Sequence, residues 1–508
     1  MPSLTFYGGV GEIGGNQILL ADGNTRLFFD FGLPFGREGL YFEELLRPRA
    51  GLVDFLEMGL IPTLPGIYRP DLVMGPELWQ RFPAKGDFKV DGVLLSHAHL
   101  DHSGYISFLN EDIPVYASAL TAFIARAMQD SGQKSVDREV CYLNPRIVKD
   151  GRLSTESRGA YRQRNLAFAD RPDLCEEAVQ FWQKSPAKTK GLWACAASCS
   201  VDRVGELPVK CFPVDHSIPG ASAFAVQTSK GWVVYTGDIR WHGRAGEKTR
   251  RFVEQIVALK PYALLCEGSR AGEETHITEA EVCSNALRIV KGERGLVVAD
   301  FGPRNIDRLL SFYDIAKATG RKLVILPKDA YLQEAMCLVS KDIPSLNACP
   351  DVLIYKDPGG EGNWEKELWE KHQDRMVTAN DIRLQPGGFL LCFSFWDIKN
   401  LIDIAPRGGL YLYSSSRAYD DEQKIDLQRL HRWVDHFNMR FAGEPEAGEG
   451  LHASGHASGP ELLELVRKVS PKVLIPIHTE KPEYFWQNLQ GSGIEVCPVK
   501  RGQEIDMP

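Results

Sequence analysis

The densest chemical signal in the chain is Ser96-His97-Ala98-His99-Leu100-Asp101-His102. The apolar run from Asp91 to Ser96 delivers it as a buried strand, and Ser103 to Leu109 is expected to follow as a helix. Residues two apart in an extended stretch share a face, so His97 and His99 can hold one ion together. The chain then turns, and Asp101 with His102 can project toward a second ion. Imidazole and carboxylate donors together suit Zn²⁺ first and Mn²⁺ as the alternative. Two ions need more ligands, and three later strand ends offer them: His216 in Pro213-Val214-Asp215-His216, Asp238 in Tyr235-Thr236-Gly237-Asp238, and His478 in Pro476-Ile477-His478. A lone histidine after a strand is more often structural. The weight lies in the shared placement at the tips of apolar strands, where Asp238 has two oxygens with which to bridge both metals.

A second cluster, His452-Ala453-Ser454-Gly455-His456-Ala457-Ser458, runs into Gly459-Pro460-Glu461. Ser458 and Glu461 form a capping box, with a helix from Glu461 to Val469. Backbone N–H groups around Ser454, Gly455 and the helix start are expected to make an anion site for a phosphate, with Ser458 and His452 beside it. His456 can then donate a proton to a leaving oxygen. Glu267, at the end of the strand Ala263–Cys266, can fix its tautomer and raise its pKa. From the residues alone, a plain helix start with a surface histidine is an equal reading. Weaker candidates are Arg304 and Asn305 at a strand-to-helix turn, as phosphate contacts, and Ser414 to Ser416 after another strand. Arg158, Arg162 and Arg164 with Tyr161 read more readily as a solvated helix face than as a guide for single-stranded RNA. His242 is assigned no ligand role.

The elements that must position these residues follow from the apolar pattern. Leu4–Tyr7, Gln17–Ala21, Arg26–Phe29, Val209–Pro213 and Gly231–Tyr235 read as strands among Gly-rich turns. From about Ser269 strands alternate with helices (helix Thr278–Ile289, strand Gly295–Asp300, helix Ile306–Thr319, strand Lys322–Leu326), the rhythm of a separate parallel α/β unit. A Gly/Glu-rich linker follows near Pro445, and Lys472–Ile477 is the last buried strand. The expected division is 1–268, 269–445 and 446–508. Residues from about Met128 to Ser200, rich in Arg, Lys, Gln and Ser, are expected to be a mostly helical excursion from the first part.

These motifs resemble the metallo-β-lactamase superfamily. The HxHxDH cluster, His216, Asp238 and His478 match its successive metal motifs, and Asp30 in Phe28-Phe29-Asp30-Phe31-Gly32 matches the early aspartate that supports the metal loop without binding metal. Glu267, the HASGHAS segment and Pro476-Ile477-His478 resemble the three motifs of the β-CASP nucleases, with the ribonuclease J family the nearest in its strings, including Gly8 to Asn16 and the HSIP stretch. Departures are Glu267 where Asp is usual, Thr479 in the last motif, and a chain that stops soon after it. The resemblance implies an αββα metallo-β-lactamase sandwich with an inserted parallel α/β β-CASP domain. It implies catalytic roles for Asp101, Asp238, Glu267 and His456 in a two-metal ribonuclease, working as a 5′-exonuclease, an endonuclease or both. A DNA nuclease is the first alternative and a small-molecule hydrolase the second, with an inactive RNA-binding homologue behind them.

Composition sets the outer bounds. At 508 residues the chain exceeds what one core usually serves. A formal net charge of −8 argues against coating nucleic acid through a broadly basic surface, but not against a nuclease with a metal-lined cleft. Eleven scattered cysteines read as reduced thiols. No secretion signal or bilayer-length apolar run is present, so a soluble cytoplasmic protein is expected, with no membrane partner and a homodimer as an open alternative.

Overall fold

The computed structural model of the chain describes all residues except 44, 50, 76, 84, 85, 87, 157, 158, 171, 172, 196, 197, 200, 201, 275, 276, 303, 358–361, 419, 420, 445–447 and 508. Two sheets form its centre. Across the first run Ser198–Cys199, Leu166–Phe168, Val115–Ala117, Gly92–Leu94, Thr25–Phe29, Gln17–Asp22, Ser3–Gly8 and Glu504–Asp506. Across the second run Arg203–Val204, Leu207–Pro213, Ser222–Thr228, Gly231–Tyr235, Ala263–Glu267, Val473–Ile477 and Glu495–Val496. Side-chain alternation decides how they stack. Phe6, Ile18, Leu27 and Phe29 of the first sheet meet Phe224, Val233, Tyr235 and Ile475 of the second in one core. The opposite faces each carry helices. Val234, Leu264 and Leu474 pack on Phe252 and Ile256 of the helix Gly246–Leu259 and on Leu462 and Val466 of Gly459–Val469. Phe28, Val93 and Leu95 pack on Phe55, Tyr105 and Phe108. The result is helix, sheet, sheet, helix: an α/β sandwich of four layers.

Between Glu267 and Val473 the chain builds a third sheet, in the order Met376–Val377, Val352–Tyr355, Lys322–Ile325, Phe389–Cys392, Val297–Asp300, Leu410–Tyr413 and Arg440–Ala442. Every pairing in it is parallel, and so needs a crossover on one face or the other. Phe312 and Ile315 of the helix Ile306–Ala318 cover Val297 and Leu323 on one side. Leu430 and Val434 of Asp421–His436 cover Val298 and Tyr411 on the other. The helix expected from Thr278 begins at Glu279, with the Thr278 side chain capping it. The single helix expected after the histidine cluster is instead a turn of α-helix, Leu100–Ser103, followed by a 3₁₀ segment, Gly104–Phe108. No helix among the described residues is long and apolar enough to cross a membrane.

The stretch from Met128 to Ser200 departs from the expected mostly helical excursion. After the helix Ala119–Ser131, its described residues hold one helix of more than a single turn, Glu176–Gln183. The rest is short strands: the hairpin Arg146–Lys149/Arg152–Thr155, a small sheet of Tyr142–Leu143, Tyr161–Gln163 and Leu192–Trp193, and Leu166–Phe168, which pairs with Val115–Ala117 in the first sheet. The reason is ionic and lies inside. Arg69 is wholly buried and binds Asp71 at 2.8 Å and Glu139 at 2.6 Å, while Glu139 also binds Arg146 at 2.8 Å. Arg164, far from being a solvated cation, is buried and donates to the carbonyls of Val140, Asn110 and Leu109. Tyr161 is buried too, Arg162 pairs with Glu111 at 2.9 Å, and Arg158 lies outside the described residues. The Asp150-Gly151 pair at the hairpin, both at positive φ (51° and 71°), is the sequence signal that announces these strands.

Asp329 illustrates how the inserted sheet treats charge at its carboxyl edge. Burial raises its pKa to about 7, with Asp397 adding to the shift and Lys328, itself paired to Asp397 at 2.9 Å, opposing it. An aspartate so raised binds more protons folded than unfolded between about pH 4 and pH 7, so the stability it contributes falls as pH rises through that window. Asp329→Asn, which cannot ionise, is therefore expected to be more stable than the parent at about pH 8, by on the order of 3 kcal/mol, with the gap less than half as large at about pH 5. Calorimetric unfolding of both proteins at the two pH values checks this; a difference that does not change with pH contradicts it.

Candidate active site at the strand tips

Tips of both sandwich sheets meet at one edge, and the chemistry sits there. His97, His99, His216 and Asp238 present ligand atoms that all lie within 4.8 Å of one another, and so do Asp101, His102, Asp238 and His478. A third group, Asp238, Glu267 and His456, shares the same aspartate. Asp238 Oδ2 is 3.6 Å from His97 Nε2, 3.6 Å from His216 Nε2 and 3.2 Å from His102 Nε2, while its Oδ1 is 3.3 Å from His478 Nδ1. His99 Nδ1 completes the first group, 3.0 Å from His97 Nε2 and 3.1 Å from His216 Nε2.

Three of the imidazoles are oriented from behind. His102 donates through Nδ1 to Asp30 at 2.6 Å, which turns Nε2 toward Asp101 and Asp238. His216 donates through Nδ1 to the Gly455 carbonyl at 2.6 Å, and His97 Nδ1 lies 3.0 Å from Ser96 Oγ. Partners of this kind select the tautomer that offers a lone pair to the centre. Gly455 is needed at that contact, because a Cβ there would come within 2.9 Å of the His216 ring. The Asp101 loop likewise needs Gly32, where a Cβ would overlap the Asp101 carbonyl at 1.7 Å. Asp30 and His478 both adopt left-handed backbone, φ 54° and 50°, a strain that persists where surrounding contacts over-determine it. Asp30 is gripped by the Ser96 N–H, the Ser96 hydroxyl, His102 and the Tyr235 hydroxyl. His478 donates its N–H to the Gly9 carbonyl at 2.6 Å.

Whether these residues fit two divalent ions can be judged from the donors. Buried His102 Nε2, Asp238 Oδ1 and both ring nitrogens of His478 have no hydrogen-bond partner. Such atoms are costly unless something electropositive meets them. Burial, reinforced by neighbouring imidazoles, holds His97 and His478 well below the usual histidine range; His99 and His216 are held down by burial and nearby cations. All four are therefore neutral and have a lone pair to offer a metal ion. Asp30, whose oxygens already accept four hydrogen bonds, has nothing left for a metal. The set fits a pair of ions bridged by Asp238, of the imidazole–carboxylate type that Zn²⁺ favours.

Beside the pair, Glu267 accepts from the Ile239 N–H at 2.8 Å and the Ser269 hydroxyl at 2.8 Å, and its oxygens lie 3.1 and 3.2 Å from His456 Nδ1. Burial disfavours charge on His456, yet Glu267 and Asp238 outweigh it and push its pKa up to about 9. The same pairing holds Glu267 below the ordinary glutamate range despite its burial.

The anion site expected around the HASGHAS turn is narrower than its sequence suggests. Ser458 gives its N–H and hydroxyl to Glu461 in the capping box, the Ala457 N–H goes to the Ile239 carbonyl, the Gly459 N–H to the Glu273 carbonyl and the His456 N–H to Ser454 Oγ. The helix start is thus already satisfied, and the helix begins at Gly459 rather than Glu461. His452 Nδ1 lies 3.4 Å from the Ser414 carbonyl, and burial lowers its pKa to about 4. Asn305 caps the helix Ile306–Ala318 by accepting from the Arg308 N–H, whereas Arg304 lines a cleft of about 360 Å³ with Ala98, Leu100, Arg138 and Lys328. Ser414 is buried against Arg308 and Leu451, and Ser415 reaches Asp300. His242 donates to the Ser454 carbonyl and belongs to no metal-binding group. Sequence reading missed Tyr235, which links Asn16 to Asp30, and the buried Arg240, Glu279 and Arg308; partners so far apart in the chain leave no local pattern.

Two substitutions test the metal geometry. Asp238→Asn is expected to reduce the metal held after gel filtration from two ions per chain to one or none, by elemental analysis. Asp30→Asn should keep two sites and weaken them about 10–100-fold. Two tightly held ions in Asp238→Asn contradict the bridging arrangement.

Comparison with known proteins agrees with this geometry. Residues 449–497 match the family described as "Zn-dependent metallo-hydrolase RNA specificity domain". Ribonuclease J of Sinorhizobium meliloti is 24% identical over 98% of this chain and 72% of its own length. That of Corynebacterium glutamicum is 23% identical over 96% of this chain and 54% of its own, and that of Pyrococcus abyssi 21% identical over 99% and 96%. A solved structure of a protein of unknown function from Enterococcus faecalis superposes with a TM-score of 0.68 at 22% identity, covering 99% of both chains, which is a likeness of fold. Sandwich, inserted parallel sheet, paired metal-binding groups and near full-length similarity together support a metal-dependent hydrolase similar to the ribonuclease J proteins.

Proposed function

We propose that the protein hydrolyses phosphodiester bonds of single-stranded RNA, as a 5′-exonuclease, an endonuclease or both. The observation that carries this is the sharing of Asp238 among three groups: two that fit a metal ion each, and a third that is a buried His456–Glu267 pair. Two divalent ions held by His97, His99, His216, Asp101, His102, His478 and Asp238 would supply Lewis-acid activation of water and neutralise charge on the phosphoryl oxygens. His456 does the remaining proton work. Its Nδ1–H donates to Glu267, which keeps the ring protonated and leaves Nε2 to hand a proton to the departing ribose oxygen. Ser269 and the Ile239 N–H keep Glu267 from turning away. Arg304 and Lys328 on the cleft wall offer positive charge to a polyanion, although the whole chain is acidic. The substrate class is supported by the name of the matched domain and by the ribonuclease J relatives. The described cysteines are free thiols, which fits a cytoplasmic setting.

The test is incubation of the Zn²⁺- or Mn²⁺-loaded protein with matched single-stranded RNA and DNA carrying 5′-monophosphate, triphosphate or hydroxyl ends. RNA is expected to be degraded, with Asp238→Asn inactive and His456→Ala reduced about 10²–10⁴-fold. Mononucleotides appearing first from monophosphorylated ends would mark a 5′-exonuclease, and internal fragments an endonuclease. Preferential loss of DNA shifts the reading to a DNA nuclease. If neither polymer is cut while two metals are bound, the nuclease reading fails.

A further inference from the structure

A buried ionic chain runs beside the metal groups without contributing a ligand. Arg240, two residues beyond Asp238, and Arg308, in the helix Ile306–Ala318 of the inserted unit, are both wholly buried. Glu279, at the start of the helix Glu279–Val290, lies between them. Its Oε1 is 3.2 Å from Arg240 Nη1 and 3.2 Å from Arg308 Nη2, and its Oε2 is 3.0 Å from Arg308 Nε. Asp215 at 3.4 Å and Asp307 at 2.8 Å complete the surroundings of Arg240. Two desolvated guanidiniums repel one another, and Glu279 is the carboxylate that touches both. Removing one partner of a buried charge pair leaves the other uncompensated.

What the two arginines do with their other donors is more telling. Arg308 Nη1 donates to the Leu451 carbonyl at 3.2 Å and to Ser414, whose hydroxyl also donates to Leu451. Arg240 Nη1 donates to the Ser454 carbonyl at 3.1 Å, where His242 Nε2 donates as well. His216 takes the next carbonyl, Gly455, and Arg270 the next again, His456, at 3.3 Å. The turn that carries His456 is therefore held by its carbonyls, from the sandwich through Arg240 and from the inserted unit through Arg308. Glu279 is the link between the two grips.

We propose that Glu279 is a positioning residue for proton donation: by holding Arg240 and Arg308 together it clamps the 451–456 turn and sets His456 against the leaving oxygen. This rests on the reading of His456 as the proton donor in phosphodiester hydrolysis. There the P–O bond to the ribose breaks as water adds to phosphorus and loses a proton to solvent, and the ribose oxygen takes the His456 proton, which solvent then restores. Glu279 belongs to none of the metal-binding groups, so its effect on proton donation passes through the turn that carries His456.

The experiment compares two substrates on the metal-loaded protein: single-stranded RNA, whose ribose leaving group needs a proton, and bis(4-nitrophenyl) phosphate, whose nitrophenolate leaves without one. Glu279→Gln is expected to lower kcat on RNA about 10²-fold and to change the nitrophenyl reaction less than about 3-fold, with two metals still bound. His456→Ala should show the same split. Arg308→Lys, which keeps the charge but loses the forked donors, is read in the same way should Glu279→Gln not fold. Equal losses on both substrates in a folded, metal-loaded variant, or RNA cleavage at the parent's rate, overturn the proposal. A split in His456→Ala without one in Glu279→Gln overturns the clamp alone. No split in His456→Ala removes the reading beneath it as well.

Discussion

A buried carboxylate with too few donors governs this structure. Asp30 and Asp238 are both sealed from solvent and both contact His102, at 2.6 and 3.2 Å, yet their surroundings differ. Asp30 accepts four hydrogen bonds and needs nothing else. Asp238 has one oxygen without any hydrogen bond and another faced by four imidazole nitrogens. An unpaired buried carboxylate costs several kcal/mol even after relaxation. Neutral His97, His216 and His478 cannot offset that, and His102 and His456, both raised by Asp238, share their charge with Asp30, Asp101 and Glu267; divalent cations among them can offset it. The same argument explains why metal affinity and integrity of the sandwich edge are expected to rise and fall together.

Much of the remaining architecture serves that carboxylate. The face-to-face sheets bring four separate strand ends to one edge, and each then leaves its strand in a turn that exposes a ligand. Glycines at 32 and 455 let backbone pass close to Asp101 and His216, where a Cβ would not fit. Left-handed backbone at Asp30 is held by four hydrogen bonds to its carboxylate, and at His478 by its N–H on the Gly9 carbonyl. The inserted parallel sheet adds the opposite wall of the cleft, bringing Arg304 and Lys328 near Ala98. It also reaches under the His456 turn through Arg308.

The metal side was readable from sequence because its constraint is local: a ligand must sit at a strand tip, and every such tip follows an apolar run that marks itself. The paired parallel elements of the insertion, such as Val297–Asp300 and Ile306–Ala318, were readable for the same reason. The stretch between Met128 and Ser200 was not. Its arginines look solvated in composition, but Arg164 is buried and captures three carbonyls, which no periodicity reveals. The phosphate site at the HASGHAS turn was overread. The capping box was correct, but N–H groups counted as open are taken by Glu461, Ile239, Glu273 and Ser454, three of them fixed by tertiary placement or the local turn. Glu279 and its two arginines, 39 and 29 residues from it in sequence, could be found only in three dimensions.

The most direct test of the central claim is anomalous diffraction at the zinc edge from crystals grown with Zn²⁺. The account predicts two peaks per chain flanking the Asp238 carboxylate, one among His97, His99 and His216 and the other among Asp101, His102 and His478. A single peak, or two peaks with Asp238 turned away from both, would contradict it.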